Sequence, residues 1–324
     1  MAPIVRPRLA AGIASRHYAV GFKPLPMSHD VLLLFPDFAL IALGFALRNW
    51  TALQRDVWAG VERLVYYVLF PALLFSTSSR ANYTLAGAAP LIEAGVGSLL
   101  VGIALGYAAL GLAADRRCAA SGAQCAFRFN SYIALAVADG IGGRQAVSLV
   151  AVLIAFCVPL SNAAAVWALA RHGRRGLLGE LMRNPLLLAT VAGLLAHALG
   201  LAPPRLLWPV FDRLGGAAIA LGLMTVGAGL QLGDLHRQWR LSAWLIAVRH
   251  LIVPLTAWAL AHALRLPPAQ TLVVVLFAAV PTASSAYVLA ARMGGDAPYV
   301  AGVVSLSTIL GAVSLPLFLL LVGG

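Results

Sequence analysis

The chain has 324 residues, of which 61% are hydrophobic and only 10% are charged. A soluble domain of this size carries about a quarter charged residues, so the composition excludes an ordinary soluble protein and predicts a polytopic helical membrane protein. The net charge of +12 does not indicate nucleic-acid binding, because all but Lys23 of the 23 basic residues are arginines scattered between apolar runs. Such arginines are typical of the connections that orient a membrane protein.

The first segment in chain order is a basic leader, residues 1–29. Its longest apolar run, residues 9–14, is too short for the hydrophobic core of a signal peptide. We therefore expect a disordered leader, or a start that was assigned too early, with Met27 as the true first residue.

Ten apolar runs follow from Asp30 onward, each near the roughly 20 residues that a membrane helix needs. The predicted spans are 31–48, 57–78, 85–113, 121–141, 144–170, 184–201, 205–232, 240–264, 268–292 and 297–322. The connections are short and polar, and no stretch is long enough for a separate soluble domain. The basic connector 171–183 divides the chain into a first unit, residues 30–170, and a second unit, residues 184–324.

The two units share short patterns at a nearly constant offset, which indicates an internal duplication. The matched sets are Pro36 and Gly44 with Pro185 and Gly193 (offset 149), Glu62-Arg63-Leu64 with Asp212-Arg213-Leu214 (offset 150), and Ile141-Gly142-Gly143 with Met293-Gly294-Gly295 (offset 152). Because five spans are an odd number, the second copy is inverted relative to the first, as in many secondary transporters. The predicted fold is therefore all-α, with ten membrane helices in two inverted five-helix repeats.

The distribution of arginines predicts the orientation in the membrane. Eleven arginines fall in the connections after the first, third, fifth, seventh and ninth spans, and four fall in the connections on the opposite side. Because cytoplasmic connections carry the excess of basic residues, both termini are expected on the non-cytoplasmic side.

The most informative stretch is an apolar run, residues 273–296, that is interrupted near its middle. Pro281 lacks a backbone donor and clashes with the preceding turn, and Thr282, Ser284 and Ser285 follow it. A bilayer tolerates freed backbone groups only where protein or a watery cavity receives them. The stretch therefore predicts a broken helix of the kind that forms transporter binding sites, with a proline-kinked structural helix as the alternative.

An offset of 152 residues places the counterpart of this break in the fourth span, where Arg128, Asn130 and Ser131 lie about midway. If both helices open, they cross at mid-bilayer, and the half-helices that begin there aim free N–H groups and positive dipole ends at the crossing. That geometry suits an anion, above all a carboxylate, which Arg128 could bind in bidentate form. The predicted substrate-binding residues are Arg128, Asn130, Ser131, Pro281, Thr282, Ser284 and Ser285.

Other polar residues inside the spans have both a functional and a structural interpretation. Arg128 either serves the site or extends toward the cytoplasmic face. Glu93 and Arg249 are candidates for an ion pair that locks a moving bundle, and Asn162 is a candidate for the transport pathway. A structural role is the alternative for each of them.

Several signatures of other functions are absent from the sequence. The three cysteines have no metal-ligand spacing, so we expect neither a metal site nor a cofactor. HExxH, GxSxG and P-loop motifs are missing, which argues against an enzyme or an ATP-driven pump. Asp139 and Asp296 lie toward the ends of their helices, so no carboxylate falls within the predicted crossing, and tight coupling to sodium or protons is not favoured.

A resemblance to a known family rests on two stretches, RFNSYIALA from Arg128 and PTASSAYVLAARMGGDAPYVAGVVSLSTILGAVSLP from Pro281. They resemble the auxin efflux carrier family of bacteria, fungi and plants, which includes the plant PIN carriers and is distantly similar to bile-acid:sodium symporters. The resemblance covers roughly Val31 to the C-terminus. It implies an elevator-type carrier of the bacterial cytoplasmic membrane, in which helices 1, 2, 6 and 7 form a scaffold and the other six a moving bundle. It also implies that Asn130 and the Pro281 region line the substrate site, and that a homodimer forms through the scaffold.

One departure from the family pattern concerns the fourth helix. Many members carry Gly and then Pro a few residues after the Asn, whereas residues 134–137 of this chain are ALAV. A break in this helix would therefore depend on Asn130, Ser131 and tertiary contacts, and an intact or merely kinked helix is the alternative.

Together these features favour a secondary active or facilitative carrier that exports a small organic anion, above all a carboxylate, by elevator-type alternating access. Its expected partners are that anion and the lipid bilayer, and not nucleic acid. Two alternatives stay open: a proton- or sodium-coupled importer of the same substrates, and a membrane sensor that uses the same fold without transport.

Overall fold

The computed structural model describes residues 34–80, 85–111, 115–169, 185–201, 203–231 and 238–323. The predicted leader 1–29 and the connector 171–183 lie outside the described residues. Within the described ranges all regular structure is helical, apart from one isolated antiparallel bridge between Phe129 and Thr282. In the described part of the chain, six stretches are long and apolar enough to cross a membrane, which confirms the prediction of a polytopic helical membrane protein.

The α-helices, numbered in chain order, are α1 (Phe35–Trp50), α2 (Arg55–Leu64), α3 (Phe70–Ser79), α4 (Leu85–Ala108), α5 (Arg116–Ala123), α6 (Ser131–Leu169), α7 (Pro185–Ala198), α8 (Trp208–Ala228), α9 (Trp239–Ala247), α10 (Val253–Ala263), α11 (Pro268–Ala279), α12 (Ser285–Arg292) and α13 (Ala297–Gly323). A 3₁₀ turn, Gln124–Ala126, follows α5. The six spanning stretches do not correspond one to one with the ten predicted spans. α6 contains the second part of the fourth span together with the fifth, and the ninth span is interrupted. The helices in the first and sixth spans, α1 and α7, have only 16 and 14 residues.

Two glycines in the left-handed conformation mark predicted connections. Gly143 (φ 53°, ψ −147°) lies inside α6, so this element consists of two helices, residues 131–142 and 144–169. Gly294 (φ 71°) lies between α12 and α13. Both belong to the Gly-Gly motif shared by the two units, and a residue with a side chain would be strained in this conformation.

Two spans contain a π-helical turn just before a proline. Val65–Leu69 joins α2 to α3 and precedes Pro71, and Val248–Ile252 joins α9 to α10 and precedes Pro254. A proline lacks the N–H that the regular helix bond needs, and the wider π turn accommodates this defect. Each span therefore continues past its proline.

Close helix contacts define a first group of helices. α1 packs along α8, and α3 packs along α7 and α8. Glycines permit this approach, because a Cβ on Gly44 would lie 2.0 Å from the carbonyl oxygen of Met224 and a Cβ on Gly193 would lie 2.7 Å from that of Phe75. Small residues allow membrane helices to touch in this way. We call α1–α3, α7 and α8 the flanking group.

The remaining helices, α4–α6 and α9–α13, pack into a second group, which we call the crossing group. Here α10 lies against α4 and α11, and α11 lies against α6 and α13. Residues 146–154 of α6 and 273–280 in and just after α11 are buried without exception. Because α11 is surrounded by protein, its end can be irregular without exposing backbone groups to lipid.

Candidate functional site

The two interrupted helices meet at their breaks, one between α5 and α6 and the other between α11 and α12. The Asn130 N–H donates to the carbonyl oxygen of Pro281 (2.9 Å), and the Ala283 N–H donates to that of Arg128 (3.3 Å). Each break thereby satisfies backbone groups of the other, which non-helical backbone at membrane depth requires. The fourth predicted span is therefore broken and not merely kinked.

Local chemistry explains where each break lies. The Asn130 Oδ1 accepts the N–H groups of Tyr132 (3.0 Å) and Ile133 (3.3 Å) and so caps the start of α6. Residues 134–137 can then be helical without Gly or Pro, because the break ends before them. At the other break, Val280 has the extended conformation expected before a proline (ψ 149°), and α11 ends there.

Pro281 and Thr282 hold the second break in place. Pro281 packs against α13, where a Cβ on Gly311 would lie 3.2 Å from the proline ring. Thr282 is fully buried; its N–H donates to Ser307 Oγ (2.9 Å) and its hydroxyl donates to the carbonyl oxygen of Cys125 (2.8 Å). These two members of the predicted substrate-binding set thus lie behind the cavity wall and do not line it.

A cavity of about 720 Å³ lies in front of the two breaks, between the crossing group and α2. From the crossing group its lining includes five predicted substrate-binding residues and one predicted pathway residue: Arg128, Asn130, Ser131, Ser284, Ser285 and Asn162. The opposite wall comes mainly from α2 and the π turn after it: Ala59, Glu62, Arg63, Tyr66 and Tyr67. The structure therefore brings most of the predicted residues to one cavity.

The crossing group presents hydrogen-bond donors and a guanidinium to this cavity. Asn130 is 3% exposed, and within the described part of the chain its Nδ2 has no hydrogen-bond partner. Arg128 donates to Ser285 Oγ (3.1 Å) and to Gln124 Oε1 (3.4 Å). α12 begins without a side-chain cap, but the N–H groups of Ala286 and Tyr287 in its first turn already donate to the carbonyl oxygens of Ala283 (3.0 Å) and Ser284 (3.3 Å). A buried donor without a partner is costly, and an acceptor bound in the cavity would remove that cost.

Arg249 lies outside the cavity and supports the end of α11. Its side chain is 1% exposed, and its guanidinium donates to the carbonyl oxygens of Val280 (2.8 Å) and Ala278 (2.8 Å). Helix C-termini carry a partial negative charge that a cation stabilises. Glu93 is exposed on α4. The predicted ion pair between Glu93 and Arg249 is not formed, because Arg249 binds the main chain at the break instead.

Sequence reasoning missed the α2 wall. Glu62 and Arg63 stand out in the sequence only as part of a repeated motif, and nothing local indicates that they face the breaks. The signal that could have found them is an ionisable pair inside a span, which is functional by default. The breaks themselves hold no carboxylate, as predicted, but the cavity in front of them contains Glu62.

Known proteins with similar sequences are membrane transporters. The family described as "Membrane transport protein" matches residues 171–319. A protein of Methanothermobacter thermautotrophicus named "Uncharacterized transporter" is 28% identical over 289 residues, which cover 86% of this chain and 94% of that protein. A protein of Rhizobium meliloti named "Putative malonate transporter" is 26% identical over 276 residues, 81% of this chain and 86% of that protein. These matches agree with the predicted resemblance to the auxin efflux carrier family of membrane transporters.

For this transporter, the family match includes the second helix break at Pro281 and the arginine that supports it, Arg249. The two relatives align over more than four-fifths of the chain and so extend the similarity into the first unit. The resemblance to the auxin efflux carrier family, predicted from the motifs at Arg128 and Pro281, is therefore confirmed.

Proposed function

We propose that the protein is a secondary carrier that exports a small organic anion, a carboxylate, across the bacterial cytoplasmic membrane. The observation that carries this proposal is the buried Asn130 Nδ2, which has no partner in the described part of the chain and lines the cavity where two helix breaks meet. Arg128 adds positive charge to the same wall. A carboxylate supplies the acceptor that Asn130 lacks and complements the Arg128 guanidinium. The relative whose printed name refers to malonate also supports a small carboxylate.

The proposed architecture is ten membrane helices in two inverted five-helix repeats. The matched glycines Gly44 and Gly193 support it, because both lie where two helices of the flanking group touch. The backbone bridge between Phe129 and Thr282 also supports it, since the repeat offset equates these positions to within one residue. Two equivalent helices would then open at equivalent points and meet.

Elevator-type alternating access is supported by the position of the cavity between the two helix groups. The crossing group holds the predicted anion-binding residues, so its movement along the flanking group would carry the site to the other face of the membrane. In the proposed orientation both termini lie outside the cytoplasm. The cavity then faces the cytoplasm, because its α2 wall lies in the half of that span nearest the first connection. The flanking group is the proposed homodimer contact.

Counterflow in proteoliposomes tests the proposal. Liposomes loaded with unlabelled malonate are diluted into labelled malonate, with a panel of mono- and dicarboxylates as competitors. We expect saturable uptake by the wild-type protein. Asn130→Asp keeps the oxygen that caps α6 and removes the donor, so uptake should fall about tenfold or more, since a hydrogen bond to a charged group contributes about 1.5–3 kcal/mol.

Asn49→Ala is the matched control, because it removes an exposed asparagine near the end of α1 that lies outside the cavity. This variant should transport as the wild type does. The assignment of the site fails if no carboxylate shows saturable movement, or if Asn130→Asp and Asn130→Ala both transport normally.

A proton- or sodium-coupled importer of the same substrates is the second candidate. Glu62 favours it, because a carboxylate facing the cavity could bind the coupling cation. Dependence of malonate uptake on a sodium or pH gradient would select this candidate, and gradient-independent exchange would select the first.

A further inference from the structure

Glu62 places a carboxylate in the wall of the cavity. It is half-buried on α2, and the described residues offer it neither a hydrogen bond nor an ion pair. Arg63 follows it directly and lines the same wall, but consecutive residues of a helix project in different directions, and the described residues contain no ion pair between these two. An ionised carboxylate inside a membrane span is costly unless a cation lies nearby. Glu62 therefore has the chemistry of a cation ligand.

Tyrosines line the cavity together with this carboxylate. Tyr132, in the first turn of α6, lines the same cavity as Glu62 and Tyr66. Its ring stacks on Phe70, with centroids 4.6 Å apart and planes within 9°, which fixes its orientation. Aromatic rings attract cations over their faces, and tyrosine hydroxyls supply neutral oxygen ligands. We call Glu62, Tyr66 and Tyr132 the α2 subsite.

The proposed repeat equates Glu62 with an acidic residue of the second unit that is ion-paired. Asp212 matches Glu62 at an offset of 150, and in both units a tryptophan precedes the acidic residue by four positions. The Asp212 Oδ1 lies 3.1 Å from a guanidinium nitrogen of Arg80 and 3.9 Å from one of Arg144. The Arg80 guanidinium also lies 3.8 Å from the centroid of the Trp208 ring. Asp212 is therefore ion-paired with protein arginines, one of which lies over an aromatic ring.

We propose that the α2 subsite binds a monovalent cation that accompanies the organic anion held on the opposite wall. Two sources supply this chemistry: an ammonium group on a zwitterionic substrate of the amino-acid type, or a sodium ion bound together with a carboxylate. In both cases the loaded cavity holds a positive and a negative charge against walls of complementary sign. This inference rests on the proposed function, because it takes the Asn130 wall to be the anion site.

Equilibrium binding to the purified protein tests the inference with three probes: sodium ions, glycine and malonate. Glycine is a matched probe, because it is malonate with one carboxylate replaced by an ammonium group. We expect sodium or glycine to bind the wild type saturably. Glu62→Gln should weaken that binding by about tenfold or more, which is about 1.4 kcal/mol, and should change malonate affinity measured without sodium by less than about twofold. If Glu62→Gln weakens sodium binding, the cation at the α2 subsite is a separate sodium ion. If Glu62→Gln weakens glycine binding, the cation is the ammonium group of the substrate itself.

Asp56→Asn is the matched control, because it removes another acid of α2 that does not line the cavity. It should leave all three affinities unchanged. The inference is overturned if neither sodium nor glycine binds the wild type, or if Glu62→Gln weakens malonate binding as much as the other two. Failure of the proposed function gives a different result: malonate fails to bind, or Asn130→Asp leaves its affinity unchanged.

Discussion

The Arg249 side chain offers a direct test of how the break at Pro281 is held open. Its guanidinium donates two hydrogen bonds to main-chain carbonyl groups, those of Val280 and Ala278, at a site that is 1% exposed. Arg249→Met keeps an unbranched apolar stem and removes both bonds. At about 1.5–3 kcal/mol for each hydrogen bond to a charged group, the free energy of unfolding should fall by about 3–6 kcal/mol.

Thermal unfolding of the purified protein in detergent, followed by tryptophan fluorescence, measures this loss. At about 2 °C for each kcal/mol in a chain of this size, we expect the midpoint of Arg249→Met to fall by roughly 6 °C or more. Arg249→Lys keeps a charged donor and should lose less. Glu93→Gln should leave the midpoint unchanged, whereas an ion pair between Glu93 and Arg249 would make Glu93→Gln and Arg249→Met similarly destabilising. An unchanged midpoint in Arg249→Met would refute the reasoning.

Other substitutions test the helix packing, the proline and the charged pair away from the cavity. Gly44→Ala should sharply lower the yield of folded protein, because its Cβ would lie 2.0 Å from a main-chain oxygen of α8, whereas Gly216→Ala, with no atom within 4 Å, should give the wild-type yield on size-exclusion chromatography. Pro281→Ala should slow counterflow more than it reduces membrane insertion, because a restored N–H lets α11 continue; unchanged turnover would contradict this. A second cavity of about 300 Å³ is lined by Arg80, Arg144, Gln145 and Ser148, and Arg144 is ion-paired with Asp212. If this ion pair restricts entry to that cavity, Asp212→Asn should speed thiol labelling of Ser148→Cys by up to about fivefold, the limit for an exposed ion pair; an equal or slower rate would show that it does not.

The two breaks differ in how far the sequence determines them. Pro281 cannot donate a helix bond, and the polar residues after it favour an open helix, so one residue predicts the second break. No such residue exists in the fourth span. Its break depends on Asn130, which caps α6 with its side chain and binds the Pro281 carbonyl with its N–H. From residue patterns alone, the position of this break is predicted only through the internal repeat.

The α2 wall and the role of Arg249 depend on contacts between distant parts of the chain. Glu62 is recognisable as an acid within a span, but its place in the cavity with Asn130 results from the packing of two helix groups. The predicted pairing of Glu93 with Arg249 used their similar positions along two spans. In the folded protein, the Arg249 guanidinium donates instead to main-chain carbonyl oxygens at the break, each 2.8 Å away. Local patterns identify the helices and their interruptions, whereas the partners across the cavity require the folded structure.

The central claim is that an organic anion binds where the two breaks meet, in a cavity that opens to the cytoplasm. Labelling of Ala59→Cys on the α2 wall with a membrane-impermeant maleimide measures both parts of this claim, because the three native cysteines are buried. In inside-out vesicles we expect rapid labelling that malonate slows several-fold, and no slowing by malonate when Asn130→Asp is also present. Labelling that malonate does not slow, or that occurs only from the opposite face, would contradict the account.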